Sequence, residues 1–191
     1  AVDLRESKGV HLERNKSQKD DRARTIRIDD NHRGVVFDAG DDNFFVLTHI
    51  GTHDDVERWM ANNTFKINHR TGAFEIINTV AISEAAAAVE QPAKAAEPLF
   101  AHRKDKDFTQ LGLEADHVPV LRMFTDEDQL SGLLGVLPQT QADALILLTG
   151  DATVEAIYRD VAGPISPDDV DVDDVVTAMQ TPASRAQFTI L

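Results

Sequence analysis

Short apolar runs separated by polar turns dominate the first part of the chain. RTIRID (24–29) alternates apolar and charged side chains, as a half-buried strand does, and RGVVFD (33–38) repeats the pattern after a turn. NFFVLTHI (43–50) is a longer and more apolar run, and VHLER (10–14) is a shorter one. These runs predict an antiparallel meander of strands with 43–50 at its centre.

A helix is predicted directly after the meander. Thr52 and Asp55 fit the capping-box spacing, in which side-chain oxygens accept hydrogen bonds from the first backbone N–H groups of a helix. Val56, Trp59 and Met60 then form an apolar face at helical spacing.

The segment TFKINHRTGAFEIIN (64–78) predicts a β-hairpin. Its turn lies at RTG (70–72), where Gly72 is free to adopt a positive φ. Alternating apolar side chains mark its two arms: Phe65 and Ile67 on the first, and Phe74 and Ile76 on the second.

The composition changes after the hairpin. An Ala-, Glu- and Pro-rich tract predicts a linker over 81–98, either without regular structure or with one short helix capped by Ser83. Closely spaced short helical patterns predict a bundle over 99–163. An acidic segment, a helix near 172–180 and a strand at RAQFTIL (185–191) follow. The predicted fold class is α+β, with a small antiparallel sheet and its packed helix over 1–80 followed by a small all-α bundle. We also expect both chain ends to be cut, the first domain being incomplete at its N-terminus.

Charge is unevenly distributed along the 191 residues, which carry a formal net charge of -14. Residues 1–80 contain 12 Lys/Arg and 14 Asp/Glu, whereas residues 81–191 contain 7 and 19. Contact with a polyanion is therefore expected in the first part. The acidic second part is either a protein-facing or autoinhibitory element, or acidic only for solubility.

The sequence also limits the compartment and the chemistry. It has no cysteine, no apolar run of the ~20 residues that span a bilayer, and no secretory signal in AVDLRESKGV. We expect a cytoplasmic protein with no membrane partner. No glycine stands in the Gly-x4-Gly-Lys-Ser/Thr frame of a phosphate-binding loop, so no ATPase activity and no cofactor is expected within these residues.

Two patterns have features of metal sites, but neither predicts one. His49 and His53 have a spacing known from zinc proteins, but they span the end of a strand and the start of a helix. PDDVDVDD (167–174) lacks the glycine and the closing glutamate of a calcium-binding loop.

Basic side chains concentrate before and within the strand at 24–29, and aspartates interleave with them. Such a cluster is either a phosphate site for RNA or DNA or a neutralised surface. The candidate nucleic-acid-binding residues are Arg22, Arg24, Arg27, Arg33, His49 and Arg70.

RTIRIDDNHRGVVF and FFVLTHIGTHDDVERWM together resemble the RelE/ParE toxin fold. With NHRTGAFEIIN added, the sequence is similar to the N-terminal toxin-like region of UvrD/Rep-type superfamily 1 DNA helicases. In those helicases the hairpin is followed by short helices with a characteristic sequence pattern. This chain has a similar pattern at Leu111-Gly112, Arg122, TDEDQL (125–130), Leu137-Pro138 and Leu145.

This resemblance implies a RelE/ParE-like first domain and a non-catalytic accessory role that positions nucleic acid or a partner. It implies that an ATP-dependent helicase motor follows Leu191 in the same chain. The motor would then be the partner of these residues and would alone require ATP and Mg. DNA or RNA is the other expected partner.

The toxin comparison also implies a degenerate catalytic site at Arg33 and His53. Arg33 falls where RelE-type mRNA interferases keep an arginine, and His53 falls near a catalytic basic position. Thr52 stands where a further basic residue is expected, and the neighbouring Asp54 and Asp55 are acidic. The alternatives are a RelE-type mRNA interferase that is still active, and a protein-interaction module that binds no nucleic acid.

Overall fold

The structure, a computed structural model, describes residues 11–39, 44–87, 97–163 and 165–187. An antiparallel sheet with helices comes first and a helical region follows, which confirms the predicted α+β class. The chain divides into two compact units, Ala1–Phe65 and Lys66–Leu191. This division lies ahead of the predicted linker at 81–98.

The first unit contains a three-stranded antiparallel sheet in the order β1 (Ala23–Arg27), β2 (His32–Asp38), β3 (Phe45–Thr52). The three strands occur where the alternating pattern predicts them, but the prediction that the 43–50 run is central is wrong. The central strand is β2, whose residues 35–37 are buried, whereas Leu47 and Ile50 of β3 are exposed. The strand predicted at 10–14 is wrong, because among its described residues only Glu13 pairs, in a single bridge to Thr25. Beyond it the Asn15 side chain accepts a hydrogen bond from the Ser17 N–H (2.8 Å) and turns the chain.

A β-bulge interrupts the pairing of β2 with β3. Val35 lies opposite His49, whereas Val36 lies opposite Leu47, so Thr48 is an extra residue in β3. The Thr48 hydroxyl donates a hydrogen bond to the Val35 carbonyl (3.1 Å).

Helix α1 (His53–Asn62) follows β3 without a loop. Thr52 caps it as predicted, since its hydroxyl oxygen accepts a hydrogen bond from the Asp55 N–H. Val56 and Met60 are buried, and α1 packs on β2 and β3. The helix thereby covers one face of the sheet.

The predicted hairpin is formed by β4 (Asn63–Ile67), which crosses the division between the units, and β5 (Phe74–Asn78). Its turn contains Gly72 at a φ of 66°, as predicted. The predicted face of the second arm is wrong in one respect. Phe74 and Glu75 are both buried, whereas Ile76 is only half-buried.

Glu75 is buried at the centre of a polar cluster in the second unit, which we call the Glu75 centre and which comprises Asn68, Glu75, Thr140 and Gln141. Each of the other three side chains donates a hydrogen bond to the Glu75 carboxylate, all at 2.9 Å. Asn68 also donates to the Gly112 carbonyl (3.1 Å) and accepts from the N–H groups of Arg70 and Thr71. The cluster therefore connects the hairpin to distant helices.

Helix α2 (Thr79–Ala87) occupies the first part of the predicted linker. The short helix that was one alternative for this tract is therefore present, but its predicted cap is wrong, because the helix begins at Thr79 and Ser83 lies inside it. The Asn78 side chain accepts a hydrogen bond from the Ala81 N–H, and Ile82 is buried in the core of the second unit. This burial stabilises a helix in a segment that composition alone marks as a linker. The remaining linker residues 88–96 lie outside the described part of the chain.

The predicted helical bundle is present. It consists of α3 (Asp105–Gln110), a 3-10 turn (Ala115–His117), α4 (Val118–Leu121), α5 (Glu127–Leu134), α6 (Gln139–Thr149) and α7 (Val154–Ala162). Its core is largely aromatic and leucine-rich, with fully buried Phe100, Phe108, Leu121, Phe124, Leu145 and Leu148.

A 3-10 turn (Pro167–Asp169), α8 (Val175–Gln180) and α9 (Pro182–Gln187) follow the bundle. The strand predicted at 185–191 is wrong over residues 185–187, which are helical. Pro182 is suited to a first helical position, and the Thr181 hydroxyl accepts a hydrogen bond from the Ser184 N–H. Residues 188–191 of that prediction lie outside the described ranges.

Candidate nucleic-acid interface

A cleft of about 390 Å³ lies in the first unit, and we call it the Arg33 cleft. It brings together the two residues that the toxin comparison singles out, Arg33 from β2 and His53 from the start of α1. Its lining also includes Glu13, Arg14, Asn15, Lys16 and Glu57.

Arg33 is the half-buried cation of this cleft. Its position is fixed by the sheet, since it pairs with Arg27 on β1 and with Gly51 on β3. The Arg33 guanidinium makes no hydrogen bond or ion pair with any residue that the structure describes. A half-buried guanidinium without a carboxylate partner is a ready donor for a phosphate oxygen.

The loop around Asn15 places two further cations at the cleft, Arg14 and Lys16. The Asn15 N–H donates to Gln18 Oε1 (3.0 Å), and Asn15 Nδ2 donates to Glu57 Oε1 (3.4 Å) on α1. The sequence places Arg14 and Lys16 in a basic cluster but gives no sign that they share a cleft with Arg33. An asparagine between two basic residues, with its preference for turns, was the available signal.

His53 is surrounded by acidic groups. Its Nδ1 lies 3.8 Å from Asp54 Oδ1 and 3.9 Å from Glu57 Oε1, and about half of its side chain is exposed. Glu13 adds another carboxylate to the cleft wall. These carboxylates limit the positive potential of the cleft, so the arrangement suits one phosphate group better than a long polyanion.

Arg22, a predicted nucleic-acid-binding residue, is held in a structural network instead of lining the Arg33 cleft. It forms a two-point contact with Asp20 (3.0 and 2.8 Å), donates to the Phe65 carbonyl (2.6 Å) and lies over the ring of Phe37. Partial burial acts to raise the pKa of Asp20, but hydrogen bonds from Arg22 and from backbone N–H groups outweigh it and hold the pKa below its ordinary value.

Arg24 and Arg27 also interact with their own neighbourhood. Arg24 donates to the carbonyls of Asp21 and Ala23. Arg27 pairs with Asp30 at 2.5 Å, both side chains being well exposed. The interleaved aspartates that the sequence shows therefore engage part of the basic cluster.

His49 stacks on Trp59, with ring centroids 5.2 Å apart and ring planes 7° from parallel. Burial lowers the pKa of His49, and the nearby Asp55 charge opposes this only in part. His49 is therefore a weaker source of positive charge at neutral pH than an exposed histidine would be.

Arg70 lies in the hairpin turn of the second unit, where it lines a different cleft. The structure thus brings Arg33 and His53 together with Arg14 and Lys16, while Arg22, Arg24, Arg27, His49 and Arg70 have other surroundings.

Within residues 11–39, 44–87, 97–163 and 165–187, no group of three or more His, Asp or Glu side chains is arranged to hold a metal ion. In the same ranges no helix is long and apolar enough to cross a membrane. No family model matches the chain, and no curated protein or solved structure matches it.

Proposed function

We propose that the first unit positions DNA or RNA by holding one phosphate group in the Arg33 cleft, without cleaving it. The observation that carries this proposal is the half-buried Arg33 guanidinium, which forms no ion pair with the described residues and has Arg14 and Lys16 nearby. A phosphate oxygen would supply the acceptor that the guanidinium lacks.

A positioning role fits the balance of charge in the cleft better than catalysis does. Cleavage at a ribose 2′-hydroxyl needs a base and cations that stabilise the phosphoryl charge. Here His53, which lines the cleft, lies beside Asp54 and Glu57, whose negative charge would oppose the approach of the scissile phosphate.

The wider role that we propose is that of an accessory region in a UvrD-like DNA helicase, with the motor of the same chain as its partner. The support is the sequence resemblance over residues 10–160 and the absence of a phosphate-binding loop from the sequence. Residues 1–191 alone should then show no ATP hydrolysis, which a phosphate-release assay with single-stranded DNA present would test.

The binding proposal is tested by fluorescence anisotropy with labelled single-stranded DNA, single-stranded RNA and duplex DNA between 50 and 200 mM salt. We expect Arg33→Gln to weaken binding about tenfold at low salt and to reduce the slope of log K against log salt by about one, because one phosphate contact is lost.

Arg58→Gln is the matched control. Arg58 lies on α1, is 72% exposed and pairs loosely with Asp55, but it does not line the cleft. Its loss should change the affinity by less than twofold. If no probe binds at low salt, or if both variants weaken binding equally, the phosphate site is wrong and a protein-interaction module becomes the better explanation.

An active mRNA interferase is the second candidate, because Arg33 and His53 do line one cleft. This candidate predicts ribosome-dependent cleavage of mRNA that disappears in Arg33→Ala and in His53→Ala. Unchanged mRNA in a translation extract that contains the wild-type chain would exclude it.

A further inference from the structure

The Arg70 guanidinium in the turn between β4 and β5 has an unused hydrogen-bonding capacity. Its Nε is buried, and among the described residues the guanidinium has neither a hydrogen-bond partner for that Nε nor an ion pair. A buried donor without an acceptor costs stability. An acceptor that arrives from outside the described residues would remove this cost.

Arg70 lines a cleft of about 790 Å³ that belongs entirely to the second unit, and we call it the Arg70 cleft. This volume is within the range of about 300–1,000 Å³ that is typical of sites for small molecules. Besides Arg70, the polar side chains of its lining include Gln110, Glu155, Arg159 and Ser166, while Tyr158 and Ile165 supply apolar surface.

Tyr158 fixes two walls of this cleft. Its hydroxyl lies 2.5 Å from the Arg70 carbonyl and 3.0 Å from the Ile165 carbonyl, so it ties the hairpin turn to the loop after α7. Ile157, the neighbour of Tyr158, is buried in the core of the unit and anchors α7. The cleft is therefore held by contacts of its own.

The charge of the cleft differs from that of its surroundings. Arg70 and Arg159 face a single lining carboxylate, that of Glu155. The second unit as a whole has 9 Lys/Arg and 20 Asp/Glu over residues 66–191. A long nucleic acid would be repelled by such a unit, whereas a small anion would meet only the local positive charge.

We propose that the Arg70 cleft binds a small organic anion about the size of a mononucleotide. One oxyanion group, a phosphate or a carboxylate, would accept hydrogen bonds from the Arg70 guanidinium, which is suited to two-point contacts with either. A ring-shaped apolar body would pack against Tyr158 and Ile165.

Isothermal titration of the 191-residue chain with four probes tests this proposal. AMP carries a phosphate on a ring system, cinnamate carries a carboxylate on a ring, adenosine has the ring without the anion, and inorganic phosphate has the anion without the ring. We expect AMP or cinnamate to bind at least tenfold more tightly than adenosine and inorganic phosphate do. The tighter of the two identifies the oxyanion.

Arg70→Gln should weaken that binding at least tenfold, whereas Arg185→Gln, which alters an exposed arginine of the same unit outside the cleft, should leave it within twofold. If Arg70→Gln fails to fold, Arg159→Gln, at an exposed position, should weaken binding at least threefold. The proposal is overturned if neither AMP nor cinnamate binds at millimolar concentration. It is also overturned if inorganic phosphate binds as tightly as AMP does, or if the substitutions in the cleft leave binding unchanged.

Discussion

The Arg33 cleft of the first unit and the Glu75 centre of the second unit each contain a charged side chain, but the two side chains differ in burial and in hydrogen bonding. Arg33 is half-buried, lines an open cleft and forms no hydrogen bond or ion pair within the described ranges. Glu75 is fully buried and accepts hydrogen bonds from three side chains of its own unit. An unpaired charge beside solvent is available to a ligand, whereas a buried carboxylate that accepts several hydrogen bonds connects elements of its own unit.

Among the substitutions that compare the two regions, Gly112→Ala is expected to change the free energy of unfolding most. Gly112 has a φ of 85°, and a Cβ there would lie 2.4 Å from the Asn68 amide. The strained backbone and the displaced amide should together lower the free energy of unfolding of the second unit by about 3–5 kcal/mol. Chemical denaturation followed by far-UV circular dichroism measures this change.

Gly132→Ala is the matched control for that substitution. Gly132 lies within α5, and no atom lies within 4 Å of a Cβ built on it. Alanine should raise the stability of the second unit by about 0.5–1 kcal/mol through its helix propensity. If Gly112→Ala is as stable as wild type, then the close packing of Asn68 against Gly112 does not hold the Glu75 centre together.

A smaller effect on stability should distinguish Arg22 from Arg33, two arginines of the first unit. Arg22→Gln removes the contacts with Asp20 and the Phe65 carbonyl and should destabilise the unit by about 2 kcal/mol. Arg33→Gln should change its stability by less than about 0.5 kcal/mol, because Arg33 has no partner to lose in the described residues.

Trp59 is the only tryptophan and belongs to the first unit, so its fluorescence reports the unfolding of that unit selectively. Equal losses of stability in the two variants would mean that Arg33 also contributes to the fold. Its proposed role as a ligand residue would then have to be reconsidered.

The smallest effect is expected from Glu75→Gln and depends on pH. Burial raises the pKa of Glu75, and Lys66 and the three hydrogen bonds offset this only in part. The folded state then binds the proton more tightly than the unfolded chain does. The contribution of Glu75 to the stability of the second unit should therefore be complete below the ordinary pKa range of a glutamate. It should be lost as the pH rises from that range through the raised pKa of the folded state.

Glu75→Gln should remove this dependence and raise the stability at pH 7 by about 1 kcal/mol. Gln141 Oε1 is buried and lacks a partner, and after rotation of the Gln141 amide it would accept a hydrogen bond from the new amide. Denaturation between pH 4 and 8 measures both changes. Glu84→Gln, at an exposed position of α2, should retain the wild-type profile, and a flat wild-type profile would contradict the prediction.

The elements that the sequence predicts well are those defined by near neighbours. The alternation in RTIRID and RGVVFD, the Thr52–Asp55 cap and the glycine of the hairpin turn all act within a few residues, and the structure confirms each. Composition left the helix α2 undecided and misplaced its start, because Ile82 is buried by residues far away in the sequence.

The site was predictable only in part, for the same physical reason. Arg33 and His53 were named, and they do share a cleft. The burial of Glu75 was missed because two of its donors, Thr140 and Gln141, are 65 and 66 residues away. The network of Arg22 was more accessible, since Asp20 stands only two residues before it in the sequence.

The extra residue at Thr48 has a consequence for how this protein tolerates genetic change. Side chains alternate between the two faces of a strand, so the bulge sets the register of Val35 and Arg33 against β3 separately from that of Val36 and Phe37. Many replacements of Thr48 would preserve that count of residues. A single-codon deletion at the same position would not, and it would force part of the sheet to exchange its inner and outer faces. The number of residues in β3 should therefore be constrained more strictly than the identity of the side chain at position 48.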